Sequence, residues 1–78
     1  MQNTTTNVLE EIRQEVENLL KQHNIRWTNI EVWKTSDGFL VEVLSPNFKE
    51  HIPAIKTSKQ LEKELKDPSV SISILPAD

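Results

Sequence analysis

Between Asn29 and Leu44 the chain reads NIEVWKTSDGFLVEVL, two β-rich runs around Ser36-Asp37-Gly38. An Asp-Gly step between alternating apolar residues is a strong hairpin signal. Successive side chains of a strand point to opposite faces. Ile30 and Val32 therefore share one face of the first strand, and Phe39, Val41 and Val43 share one face of the second. The other face should be polar, and Glu31 and Glu42 obey. Trp33, Leu40 and Leu44 do not. With helices packed on one side of the sheet, those three side chains are left facing water. The hairpin thus fixes a sheet and marks a contact surface on it.

Composition narrows the rest. Seventy-eight residues make one domain, near the lower limit for a self-sufficient core. There is no cysteine, which removes disulfides and thiolate metal sites. Stability then rests on packing, helped by any oligomerisation. A formal net charge of −3 argues against general nucleic-acid binding. Met1 to Asn7 is polar and uncharged, neither a secretion signal nor a membrane anchor. No run approaches the roughly 18 apolar residues of a spanning helix. The expectation is a soluble cytoplasmic protein with no membrane association.

Residues 1–6 read as a disordered tail and 7–78 as a single α+β domain. Asn7 can cap a helix, with Glu10 closing a capping box. Val8, Leu9, Ile12, Val16, Leu19 and Leu20 then recur at helical spacing. His23-Asn24 reads as the stop, because Asn tolerates the left-handed conformation. Strands follow over roughly 29–34 and 39–44, the second ended by Ser45-Pro46. The stretch 46–56 carries no clear pattern. The second helix begins at Pro53 or at Thr57, carries Leu61 and Leu65 inward, and stops at Asp67-Pro68. Val70-Ser71-Ile72-Ser73-Ile74 alternates strictly and reads as the last strand.

The order helix-strand-strand-helix-strand predicts a three-stranded mixed sheet with both helices packed on one face. The crossover through the second helix sets the last strand parallel to the second. The predicted core is Val8, Ile12, Val16, Leu19, Ile30, Val32, Val41, Val43, Leu61, Leu65, Val70, Ile72 and Ile74. The opposite face carries Glu31, Trp33, Leu40, Glu42, Leu44, Ser71, Ser73 and Leu75.

Trp and Leu grouped on a surface suggest a protein interface. The competing reading folds Trp33 over a strand end or under the 46–56 loop. Exposed aromatics can also stack RNA bases, but the neighbours here are Glu31 and Glu42. Lys56, Lys59, Lys63 and Lys66 share a helix stripe, which could contact phosphate. A solvated face with Glu62–Lys66 as an i,i+4 pair explains the stripe better. His23 and His51 are not at metal-ligand spacing, and zinc needs three or four converging ligands. Glu31 and Glu42 could be cross-strand neighbours, yet acid–base work needs a pocket that separates their pKa values. No nucleophile elbow or phosphate-cradling loop is present in the sequence. The expectation is no enzyme, no cofactor and no metal.

Ile30-Glu31-Val32-Trp33-Lys34 followed by Gly38 to Val43 resembles the central hairpin of the cytoplasmic C-terminal domain of cation diffusion facilitator transporters. Ser71 to Pro76 resembles the last strand of that domain. The resemblance runs from about Asn7 onward and implies a regulatory domain that dimerises. The metal-binding histidines of that family have no counterpart, and Ser73 stands where a His often occurs. Val43 to Phe48 is similar to the segment closing the hairpin of the BolA family. The Gly and Arg-His of its next helix are absent here, and with them the iron–sulfur ligand. KH-type RNA-binding domains share a similar topology, but their Gly-x-x-Gly loop is missing.

The sequence thus predicts a small interaction module that self-associates or binds another protein. Its site is the open face: Trp33, Leu40, Leu44, Glu31, Glu42 and Leu75. A ligand- or metal-responsive regulatory domain is the alternative, and weak RNA or phosphate binding the third.

Overall fold

A computed structural model describes residues 4–77, with side chains from residue 8 onward. The elements are α1 (Thr4–Gln22), β1 (Asn29–Lys34), β2 (Phe39–Ser45), α2 (His51–Leu65) and β3 (Val70–Pro76). The three strands form one sheet in the order β1-β2-β3. β1 runs antiparallel to β2, and β3 runs parallel to β2. The α+β class, element order and mixed sheet agree with the sequence reading.

α1 begins at Thr4, before Asn7, so Asn7 is inside the helix and not its cap. Threonine costs a few tenths of a kcal/mol in a helix, too little to stop it without Pro or Gly. Of the six residues read as a tail, 1–3 lie outside the described residues and 4–6 belong to α1. Ile12, Val16 and Leu20, one turn apart, are the buried stripe. Leu19, expected in the core, is half-buried beside it. Val8 is 37% exposed, against expectation. It lines a surface hollow with Leu9, Lys34 and Phe39 at the turn end of the hairpin.

The end of α1 follows from Asn24. Its φ is 58°. The Ile25 N–H donates to the Leu20 carbonyl at 2.8 Å, and the Asn24 N–H to Lys21 at 3.1 Å. This is a Schellman motif, and its apolar partner Ile25 is buried in the core.

The hairpin keeps its predicted strands with a different turn. Ser36 and Asp37 are not among the positive-φ residues, so the primed Asp-Gly turn is not used. Gly38 has φ 155°, and a Cβ there would collide with the Ser69 carbonyl oxygen. The next residue explains the closeness: the Phe39 N–H donates to that oxygen at 2.7 Å. Gly38 therefore lets β3 start against β2.

α2 starts at His51, earlier than either predicted position. Glu50 is its N-cap, extended at φ −129° and ψ 156°, with no side-chain cap bond. Pro53 falls in the first turn, where its missing N–H has no helical partner to lose. Lys66 ends the helix at φ 60°, donating its N–H to Glu62. Buried Ala54, Ser58 and Leu61 face the sheet.

The core cluster joins α1 and α2 to one sheet face: Ile30, Val41, Val43, Val70, Ile72 and Ile74 pack with Ile12, Val16, Leu20, Ala54 and Leu61. Val32 and Leu65, expected inside, are half-buried at its margin. Ser45 is fully buried. Its hydroxyl donates to the Arg26 carbonyl and accepts from the Asn47 N–H, closing the far end of the hairpin.

Candidate functional site

Strand register arranges the open face in rows. Trp33 pairs with Leu40, and Leu40 with Ser71. Glu31 pairs with Glu42, and Glu42 with Ser73. Asn29 pairs with Leu44, and Leu44 with Leu75. Same-face rows lie about 7 Å apart along a strand. The predicted site residues thus share one face but not one patch. Trp33–Leu40 and Leu44–Leu75 are two apolar pairs with a carboxylate pair between them.

Trp33 is 50% exposed, while Leu40, Leu44, Leu75 and Glu42 are half-buried and Glu31 is exposed. Trp33 does not fold under the 46–56 segment. Like charges directly opposite on a ladder destabilise it. The Asn29 amide donates to Glu31 at 3.3 Å. Among the described residues neither Glu31 nor Glu42 has a cationic partner: the ion pairs are Arg13–Glu17 and His23–Glu64.

The histidines separate. His23 Nε2 donates to Glu64 Oε1 at 2.9 Å, tying the end of α1 to α2. That bond is the main reason the Glu64 carboxyl is held below its ordinary pKa. His51 is exposed at the start of α2. Among the described residues no three His, Cys, Asp or Glu side chains come together as a metal group. Among the described residues no helix is long and apolar enough to cross a membrane.

The lysine stripe is exposed, but the expected Glu62–Lys66 pair does not form. Glu62 turns inward, and its Oε2 accepts the Ile72 N–H at 2.7 Å. Ser58 does the same one turn earlier: its Oγ accepts the Ile74 N–H at 2.8 Å and donates to the Ala54 carbonyl.

Those two bonds make the sheet edges unequal. In β3 the backbone groups of alternate residues Val70, Ile72, Ile74 and Pro76 point away from β2. The Val70 N–H donates to the Asp67 carbonyl at 3.1 Å, Ile72 and Ile74 donate to α2, and Pro76 has no N–H. Every outward donor of β3 is thereby satisfied or absent. In β1 the ladder bond from Thr35 N–H to the Gly38 carbonyl fixes the alternation, so Ile30, Val32 and Lys34 point outward. Among the described residues none of their N–H groups has a partner. A shallow groove runs beside this edge, lined by Leu9, Glu10 and Arg13 of α1. Sequence reasoning missed this edge.

Comparison with protein-family models, curated proteins and solved structures finds no match to any of them.

Proposed function

We propose that this chain is a small non-enzymatic interaction module that binds a protein partner, another chain or a second copy, through its open sheet face. The observation that carries the reading is the row order: apolar Trp33–Leu40, acidic Glu31–Glu42, apolar Leu44–Leu75. Apolar pairs left on an uncovered face gain from burial. The carboxylate pair between them gains from a cation. A fitting partner carries a basic side chain between two apolar ones, spaced like alternate residues of a strand, as in sheet-on-sheet packing. Two copies stacked face to face in register would oppose their carboxylates, which favours a different chain on this face. The regulatory role implied by the transporter-domain resemblance is compatible with such a module.

The test is a pair of variants, Trp33→Glu and Leu40→Lys. At an exposed position such as Trp33 a substitution changes stability by about 0.5 kcal/mol or less. The reading predicts folded variants that no longer bind a partner through this face. Variants that unfold would put these side chains in the core and refute it.

A further inference from the structure

The geometry points to a second copy of this chain as the occupant of the β1 edge, forming a continuous six-stranded sheet across a twofold axis. The inference deepens the interaction-module reading and rests on it only in taking contact to be what the domain does. It uses the backbone edge of β1, and its seam brings the open-face residues Glu31 and Trp33 opposite one another. An edge strand with free peptide groups is a template for another strand. Here one edge is closed and the other is not: α2 supplies Ser58 and Glu62 to β3, while Ile30, Val32 and Lys34 keep their outward N–H groups free among the described residues. A chain that closed both edges would have no such template.

Side chains choose the partner's register. Outward residues must face outward residues, so a twofold pairing of β1 with itself that keeps at least two of them paired is centred on Glu31, Val32 or Trp33. The Glu31 centre opposes two glutamates directly, a destabilising contact. The Trp33 centre leaves only Val32 and Lys34 to pair within the strands. The Val32 centre uses all three outward residues: Ile30 faces Lys34 of the second copy, Val32 faces Val32, and Lys34 faces Ile30. At two bonds per pair that is about six backbone hydrogen bonds. Each Glu31 then lies opposite Trp33 of the second copy, and no like charges meet. Val8, 37% exposed, and Leu9 flank the groove and supply apolar contact to the incoming strand.

The edge can be blocked while the β1–β2 ladder is kept. Proline is tolerated in an edge strand where the N–H faces outward. Val32→Pro and Lys34→Pro leave the β1–β2 ladder bonds intact and remove outward donors. Light scattering of the full chain over a concentration series should give about 18 kDa for wild type, twice the 9.0 kDa chain. Both proline variants should halve that mass. Ile55→Lys, exposed on α2 and outside both surfaces, should stay dimeric. The open-face reading fails if Leu40→Lys still binds its partner and this one fails if the mass ignores the prolines, so the two failures are separable. Should the proline variants unfold, Val32→Cys decides. The sequence has no other cysteine. In this register the two Val32 Cα atoms lie about 5.5 Å apart, within disulfide reach. Mild oxidation should crosslink Val32→Cys and leave Lys34→Cys without a crosslink. A wild-type monomer at high concentration, a dimer that survives both prolines, or crosslinking through Trp33→Cys in place of Val32→Cys would each overturn the proposal.

Discussion

Ser58→Ala tests how α2 closes the sheet. Ser58 is 4% exposed and its hydroxyl accepts the Ile74 N–H, while Ile74 itself is 1% exposed. Alanine removes the acceptor and leaves a buried donor without a partner. Such a loss costs about 1–3 kcal/mol. Alanine is a better helix former than serine by up to about 0.5 kcal/mol, and the back-bond from Ser58 to Ala54 is a mild burden that also disappears. The net loss is about 1.5 kcal/mol. For a domain of this size each kcal/mol lowers Tm by about 4–8 °C, so the variant should melt roughly 6–12 °C lower. Urea unfolding by circular dichroism measures the free energy, and amide exchange should show faster exchange at Ile74 with little change at Val41. A variant as stable as wild type, or more stable by the helix-propensity gain, would refute the claim that the hydroxyl is what satisfies Ile74.

Further outcomes follow from the packing and electrostatics. Leu61→Ala, at a fully buried position, should lose about 2–5 kcal/mol in urea unfolding, a large share of the stability of so small a domain. Gly38→Ala should lose about 2 kcal/mol or more by the same assay, because the new Cβ meets the Ser69 carbonyl at a positive φ. Glu64 is held below its ordinary pKa of 4.5 chiefly by the His23 hydrogen bond, and Asp67 below 3.8 chiefly by the Ser69 hydroxyl. Depressed carboxyls stabilise the fold fully above their ordinary pKa and lose that contribution as pH falls through the folded value. Glu64→Gln and Asp67→Asn should therefore weaken the acid dependence of the urea midpoint below about pH 5 and not above it.

What the sequence made legible was periodic. The alternation over 29–44 and 70–74 placed the strands and sorted their residues by face, because a one-residue slip would turn every side chain over. Asn24 was readable because few residues accept its φ. The start of α2 was not, since its N-cap Glu50 makes no side-chain cap bond and so leaves no capping signal there. Leu20 replaced Leu19 in the core because helix rotation against a sheet is a tertiary property. The closed β3 edge had a faint signal. Ser58 and Glu62, four residues apart on a helix, span about 6 Å, close to the roughly 6.6 Å between alternate strand residues such as Ile72 and Ile74. Recognising that match required the placement of α2 on β3. The residues of the open face follow from parity along each strand, but their division into two apolar pairs needed the register of all three strands.

The most direct test of the interaction reading is photo-crosslinking in the chain's own cells, with a benzophenone amino acid placed singly at Leu40, Leu44 and Ile55. Ile55 is 51% exposed on α2, away from the open face, and serves as the control. The account predicts one shared adduct from Leu40 and Leu44 that Trp33→Glu abolishes, and none of it from Ile55. Equal adducts from all three positions, or an adduct unaffected by Trp33→Glu, would contradict the open face as the contact surface.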